Sequence, residues 1–213
     1  MFENIFDKER ELTSKEKDRL NNLDLINNKM YDKGYKKREL TISIKLANVM
    51  AAVIGIPICF MYGYCFYIYN GGIRYEYSLT KCILYLVLFL ALTVVHEIIH
   101  GLFWGIFSKN HFKDIEFGYI KEYMTPYCTC LVPLNKAQYI LGAIMPGVIL
   151  GIIPMYISIF TGSFDCFILA AAMTLGAGGD FLIIIKLLFY RSNKKDKVFL
   201  DHPTECGLLV FEK

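Results

Sequence analysis

Charge is thin over most of this sequence. Asp, Glu, Lys and Arg make up 20% of the 213 residues, and most of them lie near the two ends. The opening Met1-Phe2-Glu3-Asn4 leads directly into charged residues. It has no basic stretch followed by a short apolar run, so no cleaved signal peptide is expected. A disulfide framework is also lacking. The seven cysteines are odd in number, and Cys59, Cys65, Cys82 and Cys166 fall in or beside apolar runs. A thiol in such a run is mostly a small hydrophobe. Cys128 and Cys130 are not at zinc-ribbon spacing, and Cys206 stands alone. No nucleic-acid motif, internal repeat or low-complexity tract is visible, so no nucleic-acid partner is expected.

What fills the chain is apolar. Hydrophobic residues make up 55% of it, and the mean hydropathy is +0.39. Soluble domains are less apolar, so composition points to a membrane protein. Four apolar stretches, at about 42–69, 79–107, 137–160 and 164–190, each exceed the roughly 20 residues that span a bilayer as a helix. Tyr62, Tyr64, Tyr67 and Tyr69 form an interfacial belt at the far end of the first. Pro146 and Pro154 interrupt the third.

Basic residues set the expected orientation. Ten Lys and Arg precede the first stretch. Lys109, Lys113, Lys121 and Lys136 lie between the second and third, and Arg191, Lys194, Lys195, Lys197 and Lys213 follow the fourth. All three segments fall on one side if both termini are cytoplasmic. The chain then divides into a cytoplasmic segment 1–41, a membrane-embedded domain 42–190 and a cytoplasmic tail 191–213. Before the first stretch, Thr13 with Glu16 reads as a capping box. Leu20, Leu23, Ile26 and Met30 then recur at helical spacing, predicting a short amphipathic helix. Residues 115–120 and 127–134 are rich in β-branched and aromatic side chains and read as a β-hairpin or pair of edge strands, cytoplasmic or re-entrant. The expected fold is thus an all-α membrane protein of about four transmembrane helices, with a small hairpin-like segment between the second and third.

One pattern carries chemistry. His96 and His100 are four apart, so on a helix they share a face and can grip one metal ion. Glu97 beside them can reach water at that ion as a general base. A catalytic zinc site commonly needs a third protein ligand. Asp180, in Gly176-Ala177-Gly178-Gly179-Asp180, is the only acidic residue in the apolar interior of the fourth stretch. His96 lies sixteen residues after Thr80, and Asp180 fifteen after Asp165. With the second and fourth helices running the same way, the two sit at nearly one depth. One Zn²⁺, two carboxylates and two neutral imidazoles also sum to zero charge, which lowers the cost of burial in a membrane.

These features resemble the site-2 protease class of intramembrane metalloproteases. More closely, Val95-His96-Glu97-Ile98-Ile99-His100-Gly101, the 127–134 segment, Met145-Pro146-Gly147, Gly178-Gly179-Asp180 and Asp201-His202-Pro203 resemble a bacterial family of zincin peptidases, formerly a domain of unknown function. The likeness covers roughly residues 80 to 205. The Gly178-Gly179-Asp180-Phe181 order departs from the Asp-Gly pair of site-2 proteases. The resemblance implies a zinc-dependent peptidase acting on membrane-associated protein or peptide substrates. His96, His100 and Asp180 would be ligands and Glu97 the base. An edge strand beside the metal would hold the substrate extended, with Cys128, Thr129, Cys130 and Pro146 as candidate contacts. The rival class is a metal-binding membrane protein without catalysis: a sensor, a carrier or a pseudopeptidase scaffold.

Overall fold

The computed structural model describes residues 12–120 and 125–213; the opening Met1-Phe2-Glu3-Asn4 and Lys121 lie outside the described residues. Helix α1 (Ser14–Asp32) begins at the capping box expected from sequence. The Glu16 backbone N–H donates to Thr13 Oγ1, and the Thr13 N–H donates to Glu16 Oε2. Strand β1 (Lys36–Ile42) then leads into α2 (Ile44–Asn70), which stops at Gly71 in the left-handed region. Helix α3 (Leu79–Phe107) has 29 residues. At about 1.5 Å each it is ~43 Å long, more than the hydrocarbon thickness of a bilayer.

Strands β2 (Ile115–Ile120) and β3 (Thr125–Cys130) pair antiparallel between α3 and the next helix, where the hairpin was expected. The third traverse comprises α4 (Lys136–Pro146), a π-helical stretch Gly147–Ile152 and α5 (Ile153–Thr161). The Pro146-Gly147 interruption therefore appears as a wide π turn, a form common beside functional sites. The fourth apolar stretch is broken rather than continuous. Helices α6 (Phe164–Gly176) and α7 (Gly178–Phe189) meet at an angle of 46°.

Among the described residues three helices are long and apolar enough to cross a membrane, or four if the bent pair is one span. Exposed apolar side chains such as Val53, Phe60, Leu86 and Leu90 cover the outer faces of α2 and α3. Faces so apolar suit lipid better than water. A multi-pass membrane protein accounts for both observations.

The chain is not all helix outside the hairpin. Strands β4 (Lys197–Asp201) and β5 (Cys206–Glu212) join β1 in a three-stranded antiparallel sheet, in the order β1-β5-β4. Lys36 pairs with Glu212 and Ile42 with Cys206. Side chains alternate across a strand. Leu208 and Val210 of β5, with Phe199 of β4, pack toward Trp104, Tyr139 and Leu187 of the helices. Leu209 and Phe211, with Leu200, pack toward Leu23 of α1. β5 is therefore buried on both faces, which accounts for its unbroken Leu208-Leu209-Val210-Phe211 run. The sheet also fixes a parity. β1 enters the first traverse and β4 leaves the last, so both must emerge at the same end of the bundle. An even number of crossings meets this, as when the bent pair is one span.

Helix α7 approaches α2 closely at Gly178. A Cβ there would lie 2.4 Å from Ala51 Cβ and 2.6 Å from Ala51 Cα, whereas a Cβ at Gly179 would meet nothing within 4 Å. Gly178→Ala should therefore destabilise by about 1–3 kcal/mol through overpacking. Gly179→Ala should be neutral or stabilising, because helical glycine costs backbone entropy. Thermal unfolding of the detergent-solubilised protein checks this. Equal melting temperatures for the two variants would show that α2 and α7 are not pressed together there.

Candidate metal centre

One turn of α3 separates His96 from His100, and both rings are buried, at 7% and 3% exposure. Their Nε2 atoms are 3.1 Å apart. Asp180, in the first turn of α7, meets both rings. Its Oδ2 is 3.0 Å from His96 Nε2 and its Oδ1 is 3.4 Å from His100 Nε2. The structure thus brings together the three residues singled out by spacing and depth. The bend between α6 and α7 puts Asp180 at the start of a new helix, directed at α3.

These separations suit a small cation. Four ligands at about 2.0–2.1 Å around tetrahedral zinc stand about 3.3–3.4 Å from one another. The two imidazole nitrogens, 3.1 Å apart, lie close to that spacing, and each has one oxygen of Asp180 at 3.0 or 3.4 Å. The ring of His100 is also held in the right tautomer. Its Nδ1 lies 2.9 Å from the carbonyl oxygen of Gly142, which only accepts. Nδ1 therefore carries the proton, and the lone pair of a neutral ring sits on Nε2, facing His96 and Asp180. His96, Glu97 and His100 form a group able to hold a metal ion, with one donor atom from each within 4.8 Å of the others.

Around His100 the packing is close. Trp104, one turn further along α3, stacks on the imidazole with centroids 4.9 Å apart and planes 14° apart. The indole Nε1–H donates to the carbonyl of Tyr139 at 3.2 Å. Gly142 leaves the room: a Cβ there would lie 2.1 Å from the indole ring. Pro146, buried, stands one turn beyond Gly142.

The hairpin supplies the third wall. The backbone of Cys128 lies near the Glu97 carboxylate. The Cys130 N–H donates to Asp201 Oδ2 at 2.8 Å, and Thr129 Oγ1 donates to the same oxygen at 3.1 Å. The Leu131 N–H donates to the Asp114 carbonyl, and Ile115 pairs with Cys130. In an antiparallel ladder this makes Glu116 and Thr129 a hydrogen-bonded pair. The Thr129 N–H therefore faces β2. The amides on the other edge of β3 are those of Cys128 and Cys130, and Pro126 has none. Burial pushes the Cys128 thiol far above its ordinary range and that of Cys130 up to about 12. Both sulfurs stay protonated and behave as small apolar groups.

Residues from both ends of the chain buttress this wall. Arg19 of α1 donates to Glu116 Oε1 at 2.6 Å, to Tyr127 Oη at 2.7 Å and to the Pro203 carbonyl at 2.9 Å. Asp201 is half-buried, and desolvation raises its carboxyl pKa against the hydrogen bonds from Tyr139, Cys130 and Thr129. His202 Nδ1 accepts the Glu205 N–H at 2.9 Å and so belongs to the turn between β4 and β5. Beyond the resemblance at Asp201-His202-Pro203, the local sequence does not mark Asp201, Tyr139 or Gly142 as part of the site. Their partners lie about 40 to 70 residues away, and the only local signal was an acidic residue beside an apolar strand.

No curated protein and no solved structure matches the chain. Residues 89–194 match the model of the DUF3267 family, described as "Putative zincin peptidase". The match takes in just under half of the chain and holds His96, Glu97, His100 and Asp180.

Proposed function

We propose that this chain is a zinc-dependent metallopeptidase embedded in the membrane, hydrolysing peptide bonds of membrane-associated protein substrates. The observation that carries the reading is the convergence of His96 Nε2 and His100 Nε2, 3.1 Å apart, with one Asp180 carboxylate oxygen 3.0 Å from the first and the other 3.4 Å from the second, and with Glu97 beside them. The zincin family match supports it. His96, His100 and Asp180 would hold the ion, as the three protein ligands that a catalytic zinc site commonly has beside its water or substrate. Zinc bound there supplies Lewis acidity, polarising a carbonyl and making water acidic enough to lose a proton near neutral pH.

The chain's own residues do the rest. Glu97 takes the proton from the attacking water and delivers it to the leaving amine. Trp104 and the Gly142 carbonyl keep the His100 ring from turning. The outer edge of β3 offers the Cys128 N–H beside Glu97, where an extended substrate strand can pair by β-augmentation. A helical substrate must unwind before it can do so, because its amides are already paired. Cys128 and Cys130 on that edge, with Thr129 behind them and Pro146 in the neighbouring wall, are the proposed substrate-side residues. The basic segments favour both termini in the cytoplasm, so the hairpin and the sheet would face the cytoplasm too.

Two experiments decide the reading. Glu97→Gln should retain stoichiometric zinc while cleavage falls by about 10²–10⁴-fold, the usual share of general acid–base catalysis. The assay is release of peptides from host membrane proteins, followed by mass spectrometry. Equal cleavage by Glu97→Gln would sink the mechanism; zinc uptake without cleavage by either form would favour a sensor or carrier. Orientation is checked by Asn193→Cys on a cysteine-free background. An impermeant thiol reagent should label it only after the cells are opened, and labelling of intact cells would place the tail outside.

A further inference from the structure

Asp201 closes β4, beyond the helices that carry the metal centre. It is a half-buried carboxylate surrounded by donors, with no cation among its hydrogen-bond partners in the described residues. Tyr139 Oη donates to Oδ1 at 2.6 Å. The Cys130 N–H donates to Oδ2 at 2.8 Å, and Thr129 Oγ1 donates to the same oxygen at 3.1 Å. One side chain from the tail thus binds α4 with one oxygen and β3 with the other.

Both of those elements touch the centre directly. In α4, the carbonyl of Tyr139 takes the Trp104 indole N–H, and Trp104 stacks on His100. Three residues further on, the Gly142 carbonyl holds His100 Nδ1. In β3, Cys128 sits two residues before Cys130, on the same strand edge, with its backbone against Glu97. The support of the ligand His100 and the support of the base Glu97 therefore converge on one carboxylate.

We propose that Asp201 is a positioning residue, which sets the spacing between α4 and β3 and so keeps His100 and Glu97 aimed at a common point. The tail then completes the centre rather than merely following the membrane domain. The effect on metal affinity rests on the zinc reading above; the effect on the His100 surroundings does not.

The chain has a single tryptophan, Trp104, so the fluorescence of the intact protein in detergent reports on the His100 stack without any metal. Zn²⁺ affinity, measured by competition with a chelating dye, reports on the ligands. Asp201→Ala should shift Trp104 emission in the metal-free protein and weaken Zn²⁺ binding by about 10–100-fold, as loss of a support behind metal ligands typically does. Asp201→Asn should recover most of both. Its oxygen can face Cys130 and Thr129 while its amide donates to the Tyr139 oxygen. That rescue separates alignment from a need for charge. Tyr139→Phe frees only the α4 side and should move both readouts in the same direction by less; it carries the test if Asp201→Ala fails to accumulate. Wild-type emission and wild-type Zn²⁺ affinity in a folded Asp201→Ala or Tyr139→Phe protein would overturn the proposal. Failure of the wild type to take up zinc would remove the metal reading instead. The emission comparison would then decide alone, and unchanged emission in the variants would overturn the proposal.

Discussion

The rest of the structure depends on one contact: the carboxylate of Asp180 against the two imidazoles of His96 and His100. An acidic side chain near the middle of an apolar helix costs about 2.5–3.5 kcal/mol when it has no partner. Its partners here lie on a different helix, eighty-odd residues earlier. Bringing the two helices into register sets demands on everything between them. The fourth traverse bends so that Asp180 starts a new helical segment. α7 presses on α2 at Gly178, and α4 gives up a side chain at Gly142 so that Trp104 can brace His100. The polar groups inside the bundle answer one another, and the apolar surface is left for the outside.

A second layer stands on one end of the bundle and is built from pieces distant in sequence. α1, the hairpin and the β1-β5-β4 sheet meet there, linked by Arg19 across to Glu116, Tyr127 and Pro203. The leader helix expected from the capping box is therefore a docked element, with Leu23 buried against Leu209 and Phe211. Membrane helices alone leave loops free at their ends. Here the loop between the second and third traverses is held from both sides, by the segment before the helices and by the segment after them.

Much of this was legible in the sequence where the signal is local. The apolar stretches, the Thr13–Glu16 cap and the β-rich residues 115–120 each declare themselves within a few residues. The meeting of His96 with Asp180 was legible for a different reason. Rise per residue turns sequence position into depth, and two helices running the same way can be compared without knowing how they pack. The sheet was not legible. β1 reads Lys36-Lys37-Arg38-Glu39, a charged run with no apolar alternation until Leu40, and its partner lies some 170 residues downstream. Strand pairing at that distance leaves no periodic mark in either segment. The break at Ala177 was hidden because small residues inside an apolar stretch fit close helix packing as well as a bend.

The order of strands in the sheet bears on how the protein is made. β5 is central, between β1 and β4, yet it is synthesised after every other element described here. β1 is made well over a hundred residues before β5, the strand it pairs with. Contacts closed over so long a loop form slowly. During synthesis the helices can enter the bilayer while the layer above them is still open, with β1 unpaired and the apolar underside of α1 uncovered. Anything that protects these surfaces, or delays β5, would govern when this layer closes.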